Sequence, residues 1–278
     1  MPISDSWCPI EADLETILYQ YEDPLLSLSQ AETPAIIFRQ AFNPNHCKGL
    51  IQRFIDHDLM HDPQIPLPEG ARARIDIGTS LGQRGNDKET FLQHAKKTHT
   101  LFEHLFDDYD NPVDTLYHAL AALATKKNVQ IAQEPDGRRY GPAIFRIHYT
   151  HHTYKPHIDH VTLREKRFNY AVTRFDHQFA GVLCFQNAGP RGQATQAILH
   201  RCTWTPEIQP HIENQTFHDY AAENQIQNVK VDLEPGDLYF FNTRLIHEVP
   251  AIEGNDPRIV LAVFIGYSPN DPDIYVWS

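Results

Sequence analysis

The stretch NVKVDLEPGDLYFFNTRLIHEVPAIEGNDPRIVLAVFIGYS, residues 228–268, decides how the chain is to be read. It divides into NVKVDLE, DLYFFN, RLIHEVPAI and RIVLAVFIGYS, short runs rich in β-branched and aromatic residues. Pro, Gly, Asn and Asp separate them, and Pro235-Gly236-Asp237 is a tight-turn signature, so the runs read as strands. The same texture reaches back to about residue 128 through NVQIAQ, GPAIFRIHY, HIDHVTL, FAGVLCFQN and TQAILHRCTW. Many short strands following a run of helices predict an α+β protein, a β-sandwich or jelly roll with packed N-terminal helices.

The helices belong to residues 1–127. EADLETILYQY (11–21) puts Leu14, Ile17 and Leu18 on one helical face, and PAIIFRQAF (34–42) is a strand candidate. NPNHCKGLIQRFIDHDLM opens with Asn43 as N-cap and Pro44 at the first helical position. After the Pro-rich break at 62–70 come ARIDIG, read as a strand, and helices over 87–106 and 111–127. No repeat or long linker interrupts the chain, so 1–278 is expected to be a single domain: a mainly helical layer (1–127) on a strand-rich core (128–278).

Composition narrows the function. With 41% hydrophobic and 22% charged residues, the chain falls outside the disordered and fibrous classes. A net charge of -12 argues against a nucleic-acid partner, whose phosphates call for clustered Lys and Arg. No apolar run approaches membrane-spanning length and the first residues lack signal-peptide features, so a cytoplasmic protein without membrane association is expected. Cys8, Cys47, Cys184 and Cys202 are scattered without a CxxC pair and read as free thiols.

Most of the 17 histidines fall into no pattern. His157 and Asp159 differ, because residues two apart on a strand share a face. His247 lies on the apolar, inward parity of its run, where an imidazole is either hydrogen-bonded in the core or bound to a metal. Two imidazoles and one carboxylate make the facial triad that leaves positions open on non-haem Fe(II). Arg258 follows His247 by eleven residues, at the start of an otherwise apolar strand. Either it is a solvated strand-end cation, or its fork holds a carboxylate bidentately.

HxD, about ninety residues, then His and an Arg on the next strand resembles the Fe(II)/2-oxoglutarate-dependent dioxygenases. The closer resemblance is to the standalone indole-alkaloid halogenases of the welwitindolinone type. It rests on GPAIFRIHY leading into HID, on PGDLYFFNTRLIHEV, EGNDPRIVLAVFIGYS and DIYVWS, and covers residues 134–278. The resemblance implies a double-stranded β-helix of the jelly-roll, cupin-like type. It also implies Fe(II) held by His157, Asp159 and His247, 2-oxoglutarate as co-substrate with its far carboxylate on Arg258, and O₂ as oxidant. Those halogenases carry a small residue where Asp159 stands, leaving an iron position for chloride. With Asp159 in place, the resemblance implies a hydroxylase of a free small molecule in a secondary-metabolite or amino-acid pathway, with succinate and CO₂ as co-products. The same iron site would also serve desaturation, cyclisation or epimerisation; a non-catalytic jelly-roll binding protein is the reading from another class.

Arg146 and Tyr149 stand where the family often places residues touching 2-oxoglutarate, though strand packing would equally explain them. Asn242 and Thr243 are candidates to steady the site from the turn before His247, a place where Asn is also at home in a hairpin. His148, His151, His152 and His160 read as a polar rim or lid in preference to a second metal site, with His160 pointing away from the iron. REKRFNYAVTRFD (164–176), which includes Arg164, Lys166, Arg167 and Arg174, is a solvated loop or a lid over an anionic or aromatic substrate. Phe91, Phe102 and Phe106 read as core. Nothing in the sequence signals an oligomeric state.

Overall fold

The computed structural model describes residues 7–66, 70, 72–149, 153–188, 195–251 and 256–278. Its three longest helices start where the chain offers caps. Asn43 accepts from the Asn45 amide ahead of α3 (Pro44–Asp56), Asp87 from Glu89 and Thr90 ahead of α5 (Lys88–Leu105), and Asn111 from Val113 ahead of α6 (Pro112–Leu123). Shorter helices are α1 (Leu14–Gln20), α2 (Pro24–Ser29), α4 (Leu81–Arg84), α7 (Gln209–Glu213) and α8 (Phe217–Glu223). The strands are β1 (Ile10–Glu11), β2 (Ala35–Phe38), β3 (Arg74–Gly78), β4 (Asn128–Ile131), β5 (Ile144–His148), β6 (Tyr154–His157), β7 (His177–Gln186), β8 (Thr195–Thr203), β9 (Asn228–Asp232), β10 (Leu238–Asn242), β11 (Leu245–Val249), β12 (Arg258–Tyr267) and β13 (Asp273–Trp277).

Two sheets form. The larger runs β1-β2-β10-β7-β12, and the ten residues of β12 then pair with β5 at one end and β13 at the other, which carry β3 and β4 respectively. The smaller is β6-β11-β8-β9. Alternation along the larger sheet sorts its side chains into two layers. Ile144, Ala262, Val182, Tyr239 and Ile37 lie in register across the strands and pack with Ala197, Leu199 and Val231 of the smaller sheet. Their neighbours Phe145, Leu261, Leu183 and Leu238 face the opposite way, onto Leu50 and Phe54 of α3, Phe102 and Leu105 of α5, and Leu116 and Leu120 of α6. The molecule is thus a layer of helices on a large sheet, with a second sheet on the far face. Phe91, Phe102 and Phe106 are all buried.

Three expectations change. β2 and β3 are the strands expected in PAIIFRQAF and ARIDIG and join the large sheet together with β1, but two helices, α7 and α8, lie between β8 and β9 in the half expected to be strands. The helix expected over 111–127 ends at Leu123, and Lys127 instead donates to the carbonyls of Ser268, Pro269 and Asp271. HIDHVTL is not a strand: β6 ends at His157, and the chain turns. The His160 carbonyl accepts from the amides of Arg164 and Glu165, while its Nδ1 accepts from Thr162 and Leu163. These local bonds override the strand propensity of Val161 and Thr162.

Candidate metal centre and its cavity

β6 and β11 pair antiparallel with His157 directly opposite His247, which sets the two rings side by side at 4.3 Å between centroids. The register of β11 slips on both sides of His247, against β6 and against β8, the kind of irregularity that aims a side chain. Asp159 lies two residues past the end of β6, and its amide donates to the Thr243 carbonyl at 3.0 Å, tethering it to the turn that leads into β11. Asp159 Oδ2 is then 3.8 Å from His157 Nε2 and 3.6 Å from His247 Nε2. One ligand atom from each of the three residues falls within 4.8 Å of the others.

The tautomers follow from the backbone. His157 Nδ1 is 2.7 Å from the Lys155 carbonyl and His247 Nδ1 is 2.8 Å from the Leu245 carbonyl. A carbonyl only accepts, so each Nδ1 carries the proton and each Nε2 turns its lone pair toward Asp159. Burial, reinforced by the neighbouring His247, lowers the His157 pKa to about 3. Burial alone would raise that of Asp159, but contact with His247 and the charges of His157 and Arg164 hold it well below the ordinary carboxylate range. The site presents two imidazole Nε2 atoms and one carboxylate, a donor set that suits a divalent transition metal with open positions. Arg164 Nη1 hydrogen-bonds Asp159 Oδ1 and, at 2.9 Å, the Ile158 carbonyl, leaving Oδ2 to face the imidazoles.

The triad opens into a cavity of about 270 Å³ between the two sheets. Small side chains, Ala180, Val182, Ala197, Val260 and Ala262, leave the room. Arg258 lines it and is only 6% exposed. Its Nε donates to Gln196 Oε1 at 2.6 Å, Nη2 to the Gln196 carbonyl at 3.3 Å, and Nη1 to His148 Nδ1 at 3.2 Å. Among the described residues no carboxylate pairs with it, and burial lowers its pKa. A guanidinium desolvated in this way favours an anion brought in from outside.

The other expected site residues divide by strand parity. Arg146 and His148 share the cavity face of β5 with Ile144. Tyr149 has the opposite parity: its hydroxyl bonds the amide and carbonyl of His61, and its ring is buried with the helical layer, so it does not reach the cavity. Asn242 is likewise turned away, donating to the Leu28 and Ser29 carbonyls and accepting from the Arg244 amide. Thr243 does steady the site, through its carbonyl on Asp159 and its hydroxyl on the Gln178 carbonyl. His148 bonds Arg258 and the Tyr154 hydroxyl, whereas His151 and His152 lie outside the described residues. In 164–176, Arg164, Glu165 and Arg167 line the cavity, Phe168 is 70% exposed, and Arg174 pairs outward with Asp271 and Asp273.

Gln196 is a residue that motif reading missed. It is the extra residue where the β8–β9 register shifts between Thr195 and Ala197, and the bulge turns its amide onto Arg258. The available signal was a glutamine just ahead of the apolar residues Ala197, Ile198 and Leu199, too common a pattern to single out.

In fold the chain is similar to the crystal structure of a novel N-substituted L-amino acid dioxygenase from Burkholderia ambifaria AMMD, at TM-score 0.58 and 12% identity over 91% of this chain and 90% of that one. The structure of such a dioxygenase from the same organism in complex with α-ketoglutarate matches at TM-score 0.54 and 12% identity, over the same shares. At that identity the likeness is one of fold alone. No curated protein matches the chain in sequence. The fold and the two-histidine, one-carboxylate site define the class, a two-sheet protein with a candidate metal centre opening into the cavity between its sheets. Within it, residues 7–278 match the family model described as the carrier-protein-independent halogenase WelO5, and the chain belongs to that family.

Proposed function

We propose that this protein is an Fe(II)- and 2-oxoglutarate-dependent oxygenase that hydroxylates an unactivated C–H bond of a free small molecule, in secondary or amino-acid metabolism. The observation that carries the reading is Asp159, whose Oδ2 stands 3.6–3.8 Å from both imidazole Nε2 atoms. His157, Asp159 and His247 would hold the iron, and Arg258 the far carboxylate of 2-oxoglutarate. When bound, iron, 2-oxoglutarate and O₂ supply the oxidising power: the oxoacid loses CO₂ and becomes succinate, one oxygen atom entering succinate and the other the substrate. The chain contributes placement. The Lys155 and Leu245 carbonyls fix the imidazole tautomers, Arg164 leaves one Asp159 oxygen for the metal, and Gln196 with His148 aims Arg258.

The two facing sheets support a jelly-roll core, read here as one domain over 1–278 with residues 1–127 contributing most of the helices. Four free cysteines fit a reducing cytoplasm. Among the described residues no helix is long and apolar enough to cross a membrane.

Family membership favours a second reading, halogenation. Asp159 separates the two, because it occupies the place a halide would need. Incubation with Fe(II), 2-oxoglutarate, O₂, chloride and candidate substrates should give succinate and hydroxylated product. Chlorinated product from the unaltered protein would favour halogenation instead. Absence of both succinate formation and iron uptake would remove the enzyme reading. Asp159→Gly should lower Fe(II) affinity at least tenfold and abolish hydroxylation; full retained hydroxylation would take Asp159 out of the ligand set.

A further inference from the structure

Five arginines line the cavity, and three are neutralised within the chain: Arg74 by Asp76, Arg164 by Asp159 and Arg167 by Glu165. Under the function proposed above, on which this inference rests, Arg258 is matched by the far carboxylate of 2-oxoglutarate. Arg146 remains. Among the described residues it has no carboxylate partner, and its Nε is buried without a hydrogen-bond acceptor. A buried donor left in that state keeps its desolvation cost without compensation, so the side chain is poised for an acceptor that arrives with a ligand.

Register separates Arg146 from Arg258. Arg146 stands opposite Val260 on β12, while its guanidinium carbon lies 5.7 Å from the centroid of the Phe264 ring. Phe264 is further along β12 on the side away from Arg258, so the Arg146 side chain leans away from the 2-oxoglutarate anchor. Phe264 and Trp277, with ring centroids 6.2 Å apart, line the same part of the cavity and give it an apolar wall. A single guanidinium edge beside aromatic rings matches a planar monoanion; a phosphate dianion would leave one charge unmatched.

We propose that Arg146 anchors a carboxylate on the primary substrate, whose apolar body lies against Phe264 and Trp277, and that the enzyme's substrate class is therefore small monoanionic carboxylic acids. The test is calorimetric binding to the full chain loaded with Mn(II) and saturating 2-oxoglutarate. The probes are 3-phenylpropanoate, indole-3-acetate and hexanoate, each paired with its primary amide. At least one carboxylate should bind tenfold or more tighter than its amide. Arg146→Gln should bring that ratio near one and Arg146→Lys should keep part of it, both with unchanged 2-oxoglutarate affinity and thermal midpoint. The inference is overturned if no pair separates, if Arg146→Gln leaves the separation intact, or if it weakens 2-oxoglutarate binding as much as probe binding. Failure of the unaltered protein to bind 2-oxoglutarate would instead sink the proposed function. In that case the carboxylate and amide comparison, run without 2-oxoglutarate, still decides the role of Arg146.

Discussion

Arg258 shows what a residue's setting adds to its identity. As sequence it is a cation at a strand mouth; in the fold it is desolvated, aimed by Gln196 and His148, and paired with no acid among the described residues. Arg258→Ala should raise the dissociation constant for 2-oxoglutarate about 100-fold, on the order of 3 kcal/mol for losing one partner of a buried charged pair, with metal affinity changed less than threefold. Calorimetry with Mn(II) checks both numbers, and an unchanged 2-oxoglutarate affinity would assign the carboxylate to another cation. The convergence of His157, Asp159 and His247 was legible because their types and spacing form a pattern, and Arg258 lines the cavity they open into. Tyr149 and Asn242 were misplaced by proximity in sequence, although alternation puts each on the opposite face from its cavity-lining neighbours, His148 and Phe241.

At the level of elements, register does what spacing cannot. The pairing of His157 with His247 requires β6 to meet β11 and not another strand, and Asp159 joins them only because the chain turns after His157 while its amide reaches Thr243. The turn between β9 and β10 has a similar dependence on its surroundings. Gly236 has φ +97, its carbonyl accepts from the Phe42 amide, its amide donates to Cys184, and an added Cβ would stand 2.3 Å from the Phe42 carbonyl oxygen. Pro235-Gly236 was readable as a turn, but the close approach to Phe42 was not. Gly236→Ala should therefore cost about 2–3 kcal/mol, since it adds backbone strain to a clash. Urea unfolding would show it, and an unshifted midpoint would mean that the turn relaxes.

For the whole molecule, burial of histidines between packed layers sets a pH dependence. Burial, then Arg244 and His177, lowers the His160 pKa to about 4, and burial with Arg244 also lowers that of His177. Both folded values lie below the ordinary 6.5, so as pH falls the unfolded chain takes up protons first. Stability present above pH 6.5 is lost as pH descends toward 4, with His160 alone accounting for about 2 kcal/mol between pH 7 and 5. Urea titrations of the metal-free protein at the two pH values check this. His160→Gln, which keeps an acceptor for the Thr162 and Leu163 amides, should flatten the dependence, and an unchanged slope would place the effect elsewhere.

By itself the sequence determined what is local or periodic. Helices begin at Asn43 and Asn111 because an Asx cap followed by proline fixes the first turn, and β7, β10 and β12 form because their apolar, β-branched and aromatic runs suit burial on both faces. It also determined the donor types of the site. Only the tertiary structure decided that β1, β2 and β3 leave the helical half to extend the large sheet, that HIDHVTL breaks after His157, and that a bulge turns Gln196 onto Arg258. Each of these depends on hydrogen bonds or packing between residues far apart in the chain, whose energies outweigh local propensity and leave no periodic trace in the sequence.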